Sequence, residues 1–448
     1  MSASPQNASL SSLDALRRGD MAGSRELTLR GLSEFPKEVF ALADTLEVLD
    51  IGGGSLTALP DDFAKLHRLR ILFASGNNFD RLPPVIGQCE SLSQIGFRGV
   101  GLREVPAESL PRSLRWLILT DNRIADLPSS LGELPKLQKL MLAGNALSKL
   151  PASLEGASSL ELIRIGANQF ETIPSLLASL PCLAWVSWAG NPLERRTPLP
   201  APAFVQWRDL LVEQLLGEGT SGRVYRAIWH EAGTGRRRSV ALKIFKGSMT
   251  SDGRPEREIV TCLAAGEHPN LTGALGRVVD HPDGAEAMVM PLVAFDSWVL
   301  AGPPSFESCT RDVYDGHHKV APKVALQIAI DVASAVGHLH RRNLLHGDLY
   351  AHNTLWDGKA ARALLSDFGA ACVLPSGPAA DRWRRIEVRA WGLLLEELLR
   401  NHIAPQTAQK ELRTLADSCL QRDISARPLM NEVTRELAAM LQKSNSSL

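Results

Sequence analysis

The stretch LQKLMLAGNALSKLP, residues 137–151, decides the architecture of the N-terminal half. Leu137, Leu140 and Leu142 carry the alternation of a short strand, Asn145 ends it, Leu147 turns back, and Leu150-Pro151 begins a return segment. Outward from this copy the pattern recurs every 22 or 23 residues, opening at Leu46, Leu69, Leu92, Leu114, Leu137 and Leu160, with a truncated seventh copy at Leu183. Asn122, Asn168 and Asn191 hold the place of Asn145. A unit of this size cannot bury its apolar face alone, so copies stack and their leucines share one interior. The asparagine amide satisfies backbone groups freed where the chain turns, and the stack repeats it as a ladder. Gly54 and Val100 take that place in the first and third copies, which predicts a weaker ladder toward the N-terminal end.

Over residues 26–194 this pattern resembles the leucine-rich-repeat family. ELTLRGLSEFP, residues 26–36, reads as a degenerate leading copy that caps the stack, and residues 1–25 as a short helix or disordered segment. The residues between the strand leucines face outward on the concave side of such a solenoid. Here they are apolar: Val48, Ile71, Phe73, Trp116, Ile118, Met141, Leu162 and Trp185. Aligned on one face they predict a protein-binding patch, with Trp116 and Trp185 as its anchors. The alternative is that a terminal segment or the C-terminal domain of the same chain covers this face.

The chain has 448 residues, 44% hydrophobic and 22% charged, with a formal net charge of zero. That length calls for more than one core, and the balanced charge does not favour nucleic acid as a partner. No run approaches a membrane span and the first residues lack a signal-peptide core, so the expected partners include no membrane and the expected location is cytoplasmic. Six scattered cysteines without CxxC spacing read as reduced thiols. Prolines 192, 198, 200 and 202 in PLERRTPLPAPAF predict a stiff linker over residues 195–206.

LLGEGTSGRVY, residues 215–225, sets Gly217, Gly219 and Gly222 as GxGxxG around Glu218, with Val224 two places on. A dinucleotide-binding turn shows the same glycines but would continue into a helix. Here VYRAIW, a turn at EAGTGRRR and SVALKIF read as strand, turn and strand, a setting in which glycine backbone can cover a triphosphate. Lys243 ends the VALK of the second strand, and Glu258 follows 15 residues on in a helical pattern, with Glu256 as the fallback. LLHGDLYAHNTLW, residues 344–356, then places His346, Asp348 and Asn353, and Asp367-Phe368-Gly369 follows 19 residues after Asp348.

Four motifs in this order, over residues 207–440, resemble the eukaryotic-type protein kinase family; residues 441–448 remain as a tail. The expected fold class is therefore an α/β solenoid, a leucine-rich-repeat horseshoe, followed by an α+β two-lobed protein-kinase-like domain. The resemblance implies ATP and Mg²⁺ as cofactors. It makes Asp348 the group that accepts or orients the acceptor hydroxyl proton, and Asn353 and Asp367 the Mg²⁺ ligands. Lys243 would neutralise the α- and β-phosphates, Glu258 would hold it, and the glycine loop would lid the phosphates. Val224 and Ala241 would form the adenine roof, with Met290 of AMVMPL as gatekeeper. IEVRAWGLLLEELL would be the buried central helix of the large lobe, with Glu387 where an aspartate is usual, and Arg427-Pro428 closes the domain.

Four departures stand out. Gly347 replaces the arginine before the catalytic aspartate. Only 17 residues separate Gly369 from Glu387, so the activation segment with its Ala-Pro-Glu end is missing or shortened, and Arg427 loses its usual partner, with Asp381 as a weak substitute. Ser376 is the one hydroxyl residue there, and without a receiving arginine its phosphorylation is not expected to be the switch. Tyr350 stands where serine/threonine kinases keep a lysine, so a cation would come from His352 or elsewhere. The insert 302–319 reads first as a surface loop, and otherwise as a helix replacement, a cleft cover or a substrate contact.

The expected function is an ATP-dependent protein kinase of the serine/threonine class, recruited to a partner by its repeats. The competing readings are a catalytically weak pseudokinase scaffold and phosphoryl transfer to a small molecule.

Overall fold

The computed structural model describes residues 12–196, 199–293, 297–314, 320–357, 362–401 and 407–446. Residues 1–11 of the expected N-terminal segment, residues 197–198 of the expected linker and residues 315–319 of the insert lie outside the described residues. The chain divides into two compact units, Met1–Cys182 and Leu183–Leu448.

Residues 12–17 of the first unit are helical. Seven three-residue strands follow: β1 (Glu26–Thr28), β2 (Val48–Asp50), β3 (Ile71–Phe73), β4 (Gln94–Gly96), β5 (Trp116–Ile118), β6 (Lys139–Met141) and β7 (Leu162–Arg164). They pair in parallel in sequence order, so that Leu72, Ile95, Leu117, Leu140 and Ile163 form one buried column. A proline at each of positions 36, 60, 83, 106, 128, 151 and 174 precedes a single 3₁₀ turn on the return path. The ring fixes φ near the helical value and lacks an N–H that the first turn would leave unpaired, so each return starts at the same point. The expected leading copy is complete, with β1 and a return turn at Lys37–Leu42.

The asparagine ladder runs from each copy to the one before. Asn145 donates through Nδ2 to the carbonyls of Leu119 (2.9 Å) and Leu142 (3.0 Å), and its Oδ1 accepts from Ile124 N (3.0 Å). Asn168 and Asn77 repeat this pattern. Where Val100 replaces the asparagine, Asn122 of the next copy compensates by accepting from Val100, Gly101 and Leu102. A side chain at Gly54 has no space, because a Cβ there would sit 2.4 Å from Leu32 O. The outward positions are less uniform than expected. Val48, Ile71, Gln94, Trp116, Lys139 and Leu162 form one row, and Lys139 Nζ lies 4.5 Å over the Trp116 ring.

The second unit begins within the seventh copy, so strand β8 (Trp185–Ser187) belongs to it rather than to the first unit. The stretch expected as linker contributes β9 (Phe204–Gln206), which pairs in parallel with β13 (Gly276–Val279). Val205 of β9 is buried in the core of this sheet with Leu210, Val240, Leu242 and Val289. The remaining strands are antiparallel: β10 (Leu210–Glu218), β11 (Gly222–His230), β12 (Arg237–Phe245) and β14 (Ala287–Pro291), in the order β10-β11-β12-β14-β13-β9. Helix α1 (Pro255–Ala265) follows β12.

The large lobe holds α2 (Pro322–Arg341), α3 (Ala380–Asn401), α4 (Thr407–Cys419) and α5 (Met430–Ser446), the last running through the expected domain end at residue 440. Ile328, Val332, Val336 and Leu339 of α2 are buried, as a core stripe requires. Three strands, β15 (Ser297–Val299), β17 (Thr354–Asp357) and β18 (Arg362–Leu365), and the pair β16 (Leu344–Leu345) and β19 (Cys372–Val373), bracket the catalytic-loop motif.

The ladder makes a test possible. Asn145→Ala leaves the buried Ile124 N–H without a partner and removes one of the two amide donors on each of the Leu119 and Leu142 carbonyls, and is expected to cost about 1–3 kcal/mol. In the full chain this should appear as faster amide exchange at Ile124 and across residues 137–147.

Candidate active site

Strands β11 and β12 place Val224 opposite Lys243, and β12 and β14 place Ala241 opposite Met290. This register forms a cleft of about 360 Å³ lined by Leu216, Gly219, Gly222, Val224, Ala241, Lys243, Glu258, Met288, Met290, Ser366 and Asp367, among others. The three glycines are there for different reasons. A Cβ at Gly222 would lie 2.5 Å from Ile244 O, so packing dictates that glycine. At Gly217 and Gly219 a Cβ would meet nothing within 4 Å. Nothing in the protein demands glycine at those two positions, whereas the close approach of a ligand to bare backbone would. Glu218 between them points away into ion pairs with Lys246 (2.6 Å) and Arg223 (3.2 Å), which hold its carboxyl below the usual range.

Pro255 starts α1 and Glu258 falls in its first turn, buried, 2.5 Å from Lys243 Nζ. Burial pushes the Glu258 carboxyl up to about 7 against the pull of Lys243, and Asp367 adds to the rise. Burial works against the Lys243 ammonium, yet Asp367 and Glu258 outweigh it and keep its pKa above the ordinary lysine value. The lysine stays charged, and the glutamate is the member that takes up a proton first. Asp367 is held below the usual carboxylate range; burial opposes this, but Lys243 and the Gly369 N–H prevail.

Asp367 has φ +60°, a left-handed conformation unusual for a residue with a side chain, and its Oδ1 accepts from Gly369 N at 3.0 Å. On the catalytic loop Asn353 Nδ2 donates to Asp348 Oδ2 (2.7 Å) and to Asp348 O (2.9 Å), leaving Asn353 Oδ1 as an oxygen donor. Ser366 N and Oγ both donate to Asn353 O at 2.8 Å, tying the loop to the strand that delivers Asp367. His346 is buried beneath, with Nε2 3.0 Å from Ser366 O and Nδ1 accepting from Asp348 N (3.3 Å). Lys243, Glu258 and Asp367 thus meet in one cleft. Asp348, Asn353, Gly217 and Glu218 lie outside its lining, the first two joined to it through Ser366.

Gly347 has a structural reason. Its φ is +75°, and a Cβ would lie 2.5 Å from Ala370 O and 2.8 Å from Val186 O. Its N–H donates to Glu387 Oε1 (2.7 Å), and Glu387 Oε2 is 2.8 Å from His340 Nε2. The loop therefore has no room for the arginine found in the kinases it resembles.

Residues 210–385 match the family described as protein tyrosine and serine/threonine kinase, and residues 112–170 match leucine rich repeat. The chain joins leucine-rich repeats to a protein kinase domain. Relatives include the dual specificity protein kinase pyk3 of Dictyostelium discoideum, 23% identical over 53% of this chain and 19% of that protein. The serine/threonine-protein kinase PkaB of Streptomyces coelicolor is 29% identical over 35% of this chain and 36% of its own length. For the serine/threonine-protein kinase CTR1 of Arabidopsis thaliana the values are 29%, 37% and 18%. The chain thus spans well under half the length of these relatives.

Within the kinase domain three sequence expectations change. Arg427 is fully buried and donates to the carbonyls of Gln421 (2.8 Å) and Arg385 (3.3 Å), while Asp381 pairs instead with Arg384 (2.7 Å). The insert is more than a surface loop. Asp312 accepts from His352 N (3.0 Å) and lies 2.7 Å from His352 Nδ1, and Tyr314 donates to Glu397 (3.2 Å). Burial disfavours a charged His352, but Asp312 first, then Asp348 and Asp367, raise its pKa above the ordinary value. Trp185, expected as an anchor for an external partner, has its indole N–H on Leu349 O (2.8 Å) and its ring stacked on Tyr350. Nothing local in the sequence of the insert or of residues 183–196 signals these contacts, because each joins residues far apart in the chain.

The crowding at Gly347 generates a prediction. Gly347→Arg, which restores the residue of related kinases, is expected to destabilise the chain by at least about 1–3 kcal/mol through backbone strain alone. The check is a lowered thermal midpoint and reduced nucleotide binding; an unchanged midpoint would contradict the crowding.

Proposed function

We propose that the chain is an ATP-dependent protein kinase that transfers the γ-phosphoryl group to a protein hydroxyl, of serine or threonine, and that it acts in the cytoplasm. The observation that carries this is the meeting of Lys243, Glu258 and Asp367 in a cleft whose lining includes the bare backbone of Gly219. Among the described residues no helix is long and apolar enough to cross a membrane, and the six cysteines form no disulfide, which supports the location.

The residues present fit Mg–ATP. Asp367 and the free Oδ1 of Asn353 are the hard oxygen donors that Mg²⁺ prefers, and it usually takes few of these from protein and the rest from phosphate and water. When bound, the ion neutralises charge on the phosphates as the transfer proceeds. Lys243 binds the α- and β-phosphates, and Glu258 keeps its ammonium in place. Asp348 accepts the proton of the acceptor hydroxyl as its oxygen bonds to the γ-phosphorus and the bond to the ADP oxygen breaks. The Asn353 amide orients that carboxylate.

A second reading, a weakly active scaffold, is favoured by the short segment after Asp367-Phe368-Gly369, which passes through β19 and reaches α3 at Ala380, leaving little chain to dock a peptide. The repeats are proposed to supply the missing grip on a protein partner, with Trp116 on β5 as the remaining anchor.

The deciding experiment is transfer of labelled γ-phosphate by the full chain against Asp348→Ala. A loss of about a hundredfold or more is expected, with label on serine or threonine after acid hydrolysis; label independent of Asp348 would contradict the reading. Ser376→Glu is expected to change the rate by less than about twofold, because Gly347 cannot receive the charge.

A further inference from the structure

Residues 183–196 begin as the truncated seventh copy of the repeat yet belong to the kinase unit, where they touch three parts of the catalytic machinery. Trp185 Nε1 donates to Leu349 O at 2.8 Å, immediately after Asp348, and its ring stacks on Tyr350 with centroids 4.2 Å apart and planes within 6°. The Val186 carbonyl lies where a side chain at Gly347 would go, 2.8 Å from the ideal Cβ position. Trp188 Nε1 donates to Val373 O (3.0 Å) in β19, four residues after Gly369, and its ring meets Trp383 edge-on at 5.1 Å. Glu194 then reaches the other lobe: its Oε2 is 2.7 Å from Arg257 Nη2 and accepts from Gly190 N at 2.7 Å. Arg257 precedes Glu258 on α1, so this ion pair, buried on the Glu194 side and partly exposed at Arg257, ties down the helix that presents the lysine's partner.

In protein kinases the lysine–glutamate pair and the metal-binding aspartate must both be in place, and phosphorylation of the activation loop commonly arranges this. Here the loop is short and Gly347 leaves no arginine to receive a phosphate. We propose that residues 183–196 are a covalently attached positioning element that replaces that device: Trp185 and Trp188 set the catalytic loop and the start of the short segment, and Glu194 sets α1 through Arg257. The kinase is then ordered without loop phosphorylation, and what controls it is whether this segment stays seated. The proposal rests on the kinase reading for its effect on rate, while the positioning itself is a statement about order in α1 and the catalytic loop.

The test uses the full chain with Glu194→Gln, the charge-exchanged pair Glu194→Arg with Arg257→Glu, and Trp185→Phe. Each is followed by phosphotransfer kinetics, Mg–ADP titration and amide exchange. Glu194→Gln should raise KM for ATP and lower kcat by about tenfold or more, with faster exchange confined to residues 255–265. The exchanged pair should recover most of both. Trp185→Phe keeps the ring and loses the N–H; it should lower kcat with KM for ATP nearly unchanged and loosen residues 346–353. Wild-type kinetics and exchange in Glu194→Gln overturn the proposal. So does an exchanged pair that leaves residues 255–265 as loose as the single variant does, which also decides the case if Glu194→Gln unfolds. A wild-type chain that transfers no phosphate would overturn the activity reading instead, and the exchange pattern would still decide the positioning.

Discussion

The buried carboxylate of Glu387 is the contact on which the site is built. From the middle of the large lobe it receives the Gly347 N–H on one oxygen and faces His340 with the other. Buried charge is tolerated only where its oxygens are occupied, so this carboxylate locks the loop backbone in one position. Because the loop is pinned there, Asp348 and Asn353 emerge at fixed places, His346 packs beneath Ser366, and Asp367 arrives beside Lys243. The same pin brings Gly347 against two carbonyl oxygens, which excludes any larger residue.

The charges around the cleft are arranged in opposition. Lys243 lies between two acids, Glu258 and Asp367, and these differ in behaviour although both are buried. Asp367 has a backbone N–H as well as the lysine and stays ionised. At Glu258 burial, with the Asp367 charge adding to it, outweighs the lysine and lifts the carboxyl to about 7. A triphosphate with its metal ion would enter this arrangement as a further set of opposite charges, which suits a lysine kept charged and an aspartate kept anionic. His352 is held by Asp312, which with Asp348 and Asp367 raises its pKa above the ordinary histidine value against the effect of burial, in a chain that lacks the usual lysine there.

Shortening the segment after Gly369 removes the part of a kinase that usually transmits regulation and grips a peptide. The structure fills the vacated contacts with other parts of the chain: carbonyls for Arg427, the insert for the catalytic loop, and residues 183–196 for β19 and α1. Each substitute is attached through the backbone, so its local concentration is high and it needs no modification to bind.

Much of this was legible beforehand, and for a definable reason. Leucine spacing reports a shared interior because the copies repeat it at fixed intervals, and the glycine loop, Lys243, Asp348, Asn353 and Asp367 follow along the chain in the order found in the protein kinase family, although they fall on separate elements. The ladder was also readable, except that Asn122 compensates for Val100 from the following copy. What the sequence determined by itself was therefore the two folds and the polar set of the cleft. Tertiary structure alone decided that β9 extends the small-lobe sheet, that Asp312 orients His352, that Trp185 faces inward, and why position 347 is glycine. These contacts join segments separated by tens to more than a hundred residues, and no periodicity or spacing encodes which distant backbone carbonyl a buried side chain will meet.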